Sequence, residues 1–137
     1  MNMAATLKLE IVTPEAKVYS EDVDMVTLPG VEGEMGIFPM HVPLMTQLVS
    51  GEIAVRKSGQ DFFLAVGDGF VEVTGERVSI LTDMAIKAEN IDEAKAEEAR
   101  KRAESRLSEK LDDSEVASVN AALAHSLAQI KVKRRQR

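Results

Sequence analysis

The sequence predicts an antiparallel β-sandwich or barrel followed by an α-helical hairpin, and three observations predict it. Apolar residues recur at a spacing close to two before residue 88, and at spacings of three and four after it. Turn-forming residues interrupt the first part at intervals of about 8–12 residues, the rhythm of short antiparallel strands. The segment Leu28–Leu44, LPGVEGEMGIFPMHVPL, holds three glycines, three prolines, two acids and a histidine, with no nucleophile beside a base. A stiff loop without reaction chemistry reads as a contact surface. The chain therefore divides into a β unit over 1–88 and a helical unit with a basic tail over 89–137.

The strands follow in order. Leu7, Leu9 and Ile11 alternate with polar neighbours, and Val23, Met25 and Leu28 continue more loosely. Ile53 and Val55, Val71 and Val73, then Val78 and Ile80 repeat the alternation. Turns are expected at Thr13-Pro14, Pro29-Gly30, Ser50-Gly51, Ser58-Gly59, Gly67-Asp68-Gly69 and Thr74-Gly75-Glu76. Phe62 to Val66 is apolar on both parities, and Phe70 and Val71 continue beyond Gly67-Asp68-Gly69. That stretch reads as a hairpin with both faces partly buried. The glycines there suit a tight turn better than a phosphate loop, because no helix follows.

The helices come next. Asp92 can cap the first, and Glu93 suits the positive end of its dipole. Ala96, Ala99, Ala103, Leu107 and Leu111 form its stripe, flanked by opposite charges four residues apart. Asp112-Asp113-Ser114 breaks this helix and can cap the next. The second carries Val116, Val119, Leu123, Leu127 and Ile130, with Ala117, Ala121, Ala124 and Ala128 as a neighbouring stripe of small residues. Alanine is a strong helix former but buries little area, at about 25 cal/mol per Å². Each helix should be stable as a helix and thinly docked. Two readings stay open: a hairpin that leaves its seat without unfolding, and one that packs permanently.

Composition narrows the function. The 137 residues are 45 % hydrophobic but only 4 % aromatic, without Trp, so the core is aliphatic. There is no Cys, which removes disulfides, thiolate zinc sites and cysteine nucleophiles. His41 and His125 share no ligand spacing, so no catalytic residue and no metal site is expected. The formal net charge of -6 argues against nucleic acid as a partner. Lys131, Lys133, Arg134, Arg135 and Arg137 make the end basic, either as a solvated, frayed terminus or as a tether to an acidic protein or lipid surface. No apolar run approaches the roughly 20 residues of a membrane span, and the first residues lack a signal-peptide pattern. A soluble, cytoplasmic protein is expected, with membrane association only through a complex.

Within the 28–44 segment, Pro29-Gly30 reads as a turn pair, and Gly33 and Gly36 place Glu34 on a tight turn. Glu34 is either a solvated loop acid or a charge presented to a polar partner. His41, held between Pro39 and Pro43, is either an interface donor and acceptor or a histidine bonded to a local carbonyl. At the start of the first helix, Asp92 and Lys95 lie one turn apart, with Arg102 two turns beyond Lys95. The face reads as a capped helix start or as a phosphate-holding surface.

At these residues the chain resembles the epsilon subunit of F-type ATP synthases, of the bacterial type. The resemblance rests on Val12-Thr13-Pro14 leading to Val18-Tyr19. It rests also on Pro29 to Leu44, similar to the family's P-G-x-x-G-E-x-G-I-x-P-x-H-x-P-L signature, on Gly67–Val73, and on Asp92–Ala96. It implies a sandwich of about ten strands, a helix-turn-helix, and a non-catalytic place in the central rotor stalk. The implied partners are the gamma subunit, the c-ring and, when the helices extend, the alpha/beta catalytic head, where the helices inhibit ATP hydrolysis. The implied location is the cytoplasmic face of the bacterial plasma membrane. By position Glu34 matches the acid facing the c-ring loops, and His41 the histidine near the gamma contact. Met40 stands where the family usually has glycine, and Val42 where alanine is common. Some members bind ATP through I/L-D-x-x-R-A; here Ile91, Asp92 and Ala96 match, and Lys95 replaces the arginine, losing its bidentate fork. With Arg102 nearby, the expectation is weak ATP binding and no resident cofactor. Arg100, Lys101 and Arg106 are candidates for the inhibitory contacts. The alternatives are a stand-alone nucleotide-sensing module, discriminated by ATP affinity of the isolated chain, and a small all-β enzyme, which lacks a convergent acid-base set.

Overall fold

The computed structural model describes residues 5–136. Ten strands come first: β1 Leu7–Val12, β2 Lys17–Val23, β3 Met25–Gly30, β4 Gly33–Ile37, β5 Leu44–Leu48, β6 Gly51–Lys57, β7 Gln60–Val66, β8 Gly69–Val73, β9 Arg77–Thr82 and β10 Ala85–Lys87. A 3-10 turn, Ala88–Asn90, leads to α1 Glu93–Leu107 and α2 Asp113–Gln136. The strand order is β10-β7-β6-β3-β5-β8-β9-β1-β2, with β4 beside β3. Pairing is antiparallel except between β1 and β9. At Gly30 the sheet folds over: β3 meets β5 only through Gly30 and Leu48, so the path bends there into two facing layers.

Period-two alternation aims one side chain in two at the space between the layers. Leu9, Ile11, Val26, Leu28, Ile53, Val55, Leu64, Val66, Val71, Val73, Val78 and Ile80 meet there, all fully buried. The expected strands over Leu7–Ile11, Ile53–Val55 and Val71–Ile80 stand in this core. Glu10 on β1 holds the rim through Lys17 at 2.9 Å and through Arg77.

Two local expectations are corrected. Phe62–Val66 and Phe70–Val71 do not form a hairpin. β7 pairs with β6 and β10, while β8 pairs with β5 and β9. Gly67-Asp68-Gly69 is an arch crossing between layers. Asp68 Oδ1 accepts from the Ser50 N–H at 2.9 Å, and buried Thr82 Oγ1 lies 3.0 Å from the carbonyl oxygens of Gly67 and Asp68. A Cβ at Gly69 would come within 1.9 Å of the Leu81 carbonyl oxygen, so backbone packs where a side chain would stand. The second correction concerns Pro29-Gly30, which ends β3 rather than turning. The turn is Val31-Glu32, and Gly30 pairs with Gly33 across it.

The double burial of β7 has a different cause from a hairpin. Leu64 and Val66 face the main core, while Ala65 points outward under α2. There a second, smaller core gathers Ala65, Ala88, Ile91, Ala128 and Val132, flanked by Phe63, Met84 and Ile86. α2 is wedged between α1 and the sheet. Buried Val119, Ser126 and Ile130 share one side, and Ala128 and Val132 the opposite one. Val116 and Leu127, expected in the apolar stripe, fall between these sides and are 36 % and 48 % exposed. On α1 Ala96 and Ala103 are buried as expected, while Leu107 is exposed.

The helix ends match their caps. Asp92 Oδ1 accepts from the Lys95 N–H at 3.1 Å. Asp112 Oδ1 accepts from the Glu115 N–H at 2.8 Å, and Glu115 Oε1 accepts from the Asp112 N–H at 3.3 Å, a reciprocal capping box. An overfilled second core should lift α2 and spare the sandwich. Ala65→Phe is expected to raise hydrogen exchange of α2 amides, with an overpacking cost of about 1–3 kcal/mol confined to the hairpin. Chemical denaturation followed by exchange of β1 and β9 amides checks that the main core is unchanged.

Candidate functional site: a partner face and a docked hairpin

Two surfaces carry the features singled out in the sequence. The first is the outer side of β5, β8 and β9 with the connection leading into β5. Met45, Phe70 and Leu81 project from these strands, and Phe70 pairs across with Leu81. Phe38, Met40 and Val42 project from the connection. Met40 is 82 % exposed and has φ +67, in the left-handed region where glycine is at ease. Its N–H donates to the Gly75 carbonyl at 2.7 Å, which pins the loop against the β8–β9 turn. The resemblance places glycine at this position, and the backbone angle gives the physical reason. A methionine held there displays its whole thioether side chain. Large exposed apolar side chains on well-tied backbone are the kind of feature protein contacts use.

His41 lies in the same connection, half-buried, with Nδ1 2.7 Å from the Val42 carbonyl oxygen. Of its two readings, the local carbonyl bond is the one in place. Glu34 is exposed on β4, opposite Pro29, rather than on a tight turn. It lies two residues beyond the Val31-Glu32 turn of the β3–β4 hairpin, in a shallow groove with Val31, Glu32, Thr46 and Gln47.

The second surface is the seam between hairpin and sandwich. The basic end of the chain forms it, which sequence reasoning missed. Lys133, Arg134 and Arg135 are neither frayed nor free; Arg137 lies outside the described residues. Lys133 Nζ donates to the Ala88 carbonyl at 3.1 Å. Arg134 binds Glu93 and Glu97 of α1, each at 2.9 Å. Arg135 reaches Glu52 on β6 at 3.1 Å, with its guanidinium 5.0 Å from the centre of the Phe63 ring. The signal available in sequence was the four-residue helical period, which places Lys131 and Arg135 on the sheet side with Ala128.

Glu52 is the costly member of this seam. Its side chain is 10 % exposed, and Oε2 has no hydrogen-bond partner among the described residues. Burial pushes its carboxyl above the ordinary carboxylate range; Arg135 and Lys131 pull it down, and Glu34 nearby adds to the rise. The ion pair thus fails to offset desolvation, as is common for buried pairs. Glu97 shows the reverse. Its hydrogen bond with Arg100, helped by the charge of Arg134, holds it below the ordinary range.

The nucleotide candidates do not converge. Ile91 and Ala96 are buried, Ile91 in the second core. Asp92 is engaged as a helix cap, and Lys95 and Arg102 are exposed on α1. A cavity of about 530 Å³ beside the hairpin is lined by Tyr19, Lys57, Phe63, Lys87, Glu89 and Arg135 among others, and by none of these five. Of the inhibitory candidates, Arg100 is held by Glu97 and Glu104 at 2.8 Å each, and Arg106 by Glu115 at 3.2 Å. Lys101 is exposed.

Comparison with known proteins decides the family. The family model of the ATP synthase delta/epsilon chain β-sandwich domain matches residues 6–88, and that of its long alpha-helix domain matches residues 89–134. The chain belongs to the ATP synthase delta/epsilon family. An ATP synthase epsilon chain of Dehalococcoides mccartyi is 45 % identical over 134 residues, covering 97 % of this chain and 96 % of the relative. One from Desulforamulus reducens is 43 % identical over 129 residues, covering 94 % and 98 %. Among solved structures, a chain of the Euglena gracilis mitochondrial ATP synthase, imaged as OSCP/F1/c-ring, superposes with a TM-score of 0.76 at 26 % identity, covering 93 % of this chain and 81 % of that one. The delta/epsilon fold, a ten-stranded sandwich with two C-terminal helices, is the one described above. No helix among the described residues is long and apolar enough to cross a membrane.

The seam makes a sharp contrast between two substitutions. Arg135→Ala leaves the Glu52 carboxylate buried without a counter-charge and should loosen α2 docking by about 1–3 kcal/mol. Glu52→Gln removes the desolvated charge and should leave docking unchanged or tighter. A carboxyl raised in the docked state favours docking at low pH and opposes it as pH rises through its own titration. The difference between the two variants should therefore shrink on acidification, read as hydrogen exchange of the last turns of α2.

Proposed function

We propose that the chain is a central-stalk subunit of a proton-translocating ATP synthase, one that couples the rotor to the c-ring and restrains ATP hydrolysis through its C-terminal helices. It does no bond chemistry itself. The observation that carries this reading is the separation of two cores within one delta/epsilon chain. The sandwich has its own aliphatic core, while the hairpin sits on a small separate core of three alanines, Ile91 and Val132, flanked by Phe63, Met84 and Ile86 and edged by ion pairs. An element docked that thinly can change position without unfolding what it rests on.

In this reading the apolar face of Phe38, Met40, Val42, Met45, Phe70 and Leu81, with His41 beside it, meets the gamma subunit. Glu34, exposed near the hairpin tip, meets the polar loops of the c-ring. Arg100, Lys101 and Arg106 reach acids of the alpha/beta head only after the hairpin extends; for Arg100 and Arg106 this exchanges pairs within the hairpin for pairs outside it. The complex holds the subunit at the cytoplasmic face of the bacterial plasma membrane.

Nucleotide sensing by the isolated chain is the weaker reading. Ile91 and Ala96 serve the core, Asp92 serves the cap, and Lys95 supplies one charge without a fork. Calorimetry of ATP with the isolated chain is expected to give no binding tighter than the millimolar range; a micromolar dissociation constant would restore the sensor.

Truncation after Ala88 in the assembled synthase tests the main reading. Assembly should survive, and ATP hydrolysis should rise. Failure to assemble would make the hairpin a structural part instead. Reversing the charge with Glu34→Lys in the full chain should weaken proton-coupled synthesis while leaving hydrolysis by the detached catalytic head unaffected.

A further inference from the structure

Among the described residues, the large apolar side chain most open to water is that of Met40, at 82 %. It belongs to neither core. Its backbone stands at φ +67, where a Cβ crowds the neighbouring carbonyl oxygen and a glycine would be at ease. The hydrogen bond that holds the position, from the N–H to the Gly75 carbonyl at 2.7 Å, is a backbone bond that glycine would make as well. The side chain therefore strains the fold and gains almost no burial from it. Val42 shows a related excess: it is 72 % exposed and bulkier than the alanine the resemblance places there.

A side chain that strains its own backbone and is left in water acts outside the chain. Strained positions of this kind concentrate at functional sites, where the surroundings hold them in place. We propose that Met40 is an anchor that inserts into an apolar recess of the subunit seated on this connection, and that it selects a partner carrying such a recess. This rests on the reading that the connection meets the gamma subunit, and it names the residue that decides which gamma subunit fits.

The connection is built to hold an anchor. Pro39 and Pro43 restrict the backbone on either side. His41 Nδ1 lies 2.7 Å from the Val42 carbonyl oxygen, tying the segment to itself. Gly75, in the turn between β8 and β9, ties it to the sandwich. Little backbone freedom remains to be lost on association.

The chemistry of the side chain defines the recess. A thioether donates no hydrogen bond and accepts weakly, so a polar pocket would be left with unpaired groups. Three rotatable bonds and a polarisable sulfur suit an irregular hollow lined by aliphatic side chains and the edge of an aromatic ring. Such a recess discriminates in both directions. Opposite glycine it is an unfilled cavity, and a flush surface opposite methionine clashes. A mismatched pair of either kind loses affinity.

The test compares the full chain with Met40→Gly and Met40→Asn for binding to its own gamma subunit, presented in a catalytic head lacking this chain. Glycine fits the left-handed backbone, and asparagine tolerates it while replacing the apolar bulk with a polar group. Both should weaken binding about ten- to hundredfold, the worth of burying one large apolar side chain. Neither should melt below the unsubstituted chain, and the amide of residue 40 should stay protected from exchange in both, which shows the connection intact. A Met40→Gly or Met40→Asn chain that binds as tightly as the unsubstituted one overturns the anchor. So does a loss accompanied by an unprotected amide at residue 40, because a loosened loop then explains it. If the unsubstituted chain did not bind gamma, the gamma reading would fall. The anchor is then judged in the assembled synthase by peroxide oxidation of methionines, read by mass spectrometry. Oxidation of Met40 about tenfold slower than in the free chain places it beneath another subunit and supports the anchor. A smaller slowing rejects it.

Discussion

Ala65 on the outer face of β7 touches a helix surface made of Ala128 and Val132, and the relation between the two parts of the chain depends on how little that contact buries. The main core is made of leucines, isoleucines and valines at zero to a few per cent exposure, drawn from both layers of the sandwich. Each such side chain contributes on the order of 1.5–3 kcal/mol of burial, an alanine far less. The main core is therefore complete within the sheet, and the helices rest on the sheet's outer side. Small groups also let the helix backbone approach closely, which is why polar contacts at the rim (Lys133 to a carbonyl, Arg135 to Glu52) can reach across.

Those polar contacts differ in kind. Arg134 bridges two glutamates of α1 at the partly exposed seam between the helices, where desolvation is small. Arg135 meets a glutamate already deprived of water, and that charge works against the contact it completes. His125 meets Asp83 at 3.2 Å. Docking thus combines a small apolar patch with polar pairs of different burial. A balance of several modest terms is easily shifted.

The sandwich shows the opposite economy. Its connections are held by backbone: the arch over Gly67–Gly69 is tied by Thr82 and Asp68, and the loop through Met40 is tied to Gly75. Rigid loops keep Phe38, Met40 and Val42 in water. A surface that pays no ordering cost on association suits a permanent seat on a partner.

Much of this was legible in the residue order. Alternation over Leu7–Ile11 and Val71–Ile80, the change of period near residue 88, and the caps at Asp92 and Asp112 depend on neighbours a few residues apart, and local sterics and hydrogen bonding suffice to set them. The 28–44 segment was legible as a stiff, exposed connection, though its turn fell two residues later than Pro29-Gly30 suggested. The strand partners of Phe62–Val66 were not legible, because a glycine-rich link can close a hairpin or cross between layers, and only the competition of β5, β6, β9 and β10 for the two strands decides. Nor were the partners of Arg134, Arg135 and His125, since Glu93, Glu52 and Asp83 lie some 40 to 80 residues away in the chain. Sequence alone determined which segments are strand or helix and which faces are apolar. Tertiary structure decided which faces meet, because a charge or an apolar stripe defines what it needs for a partner and leaves open which distant segment will supply it.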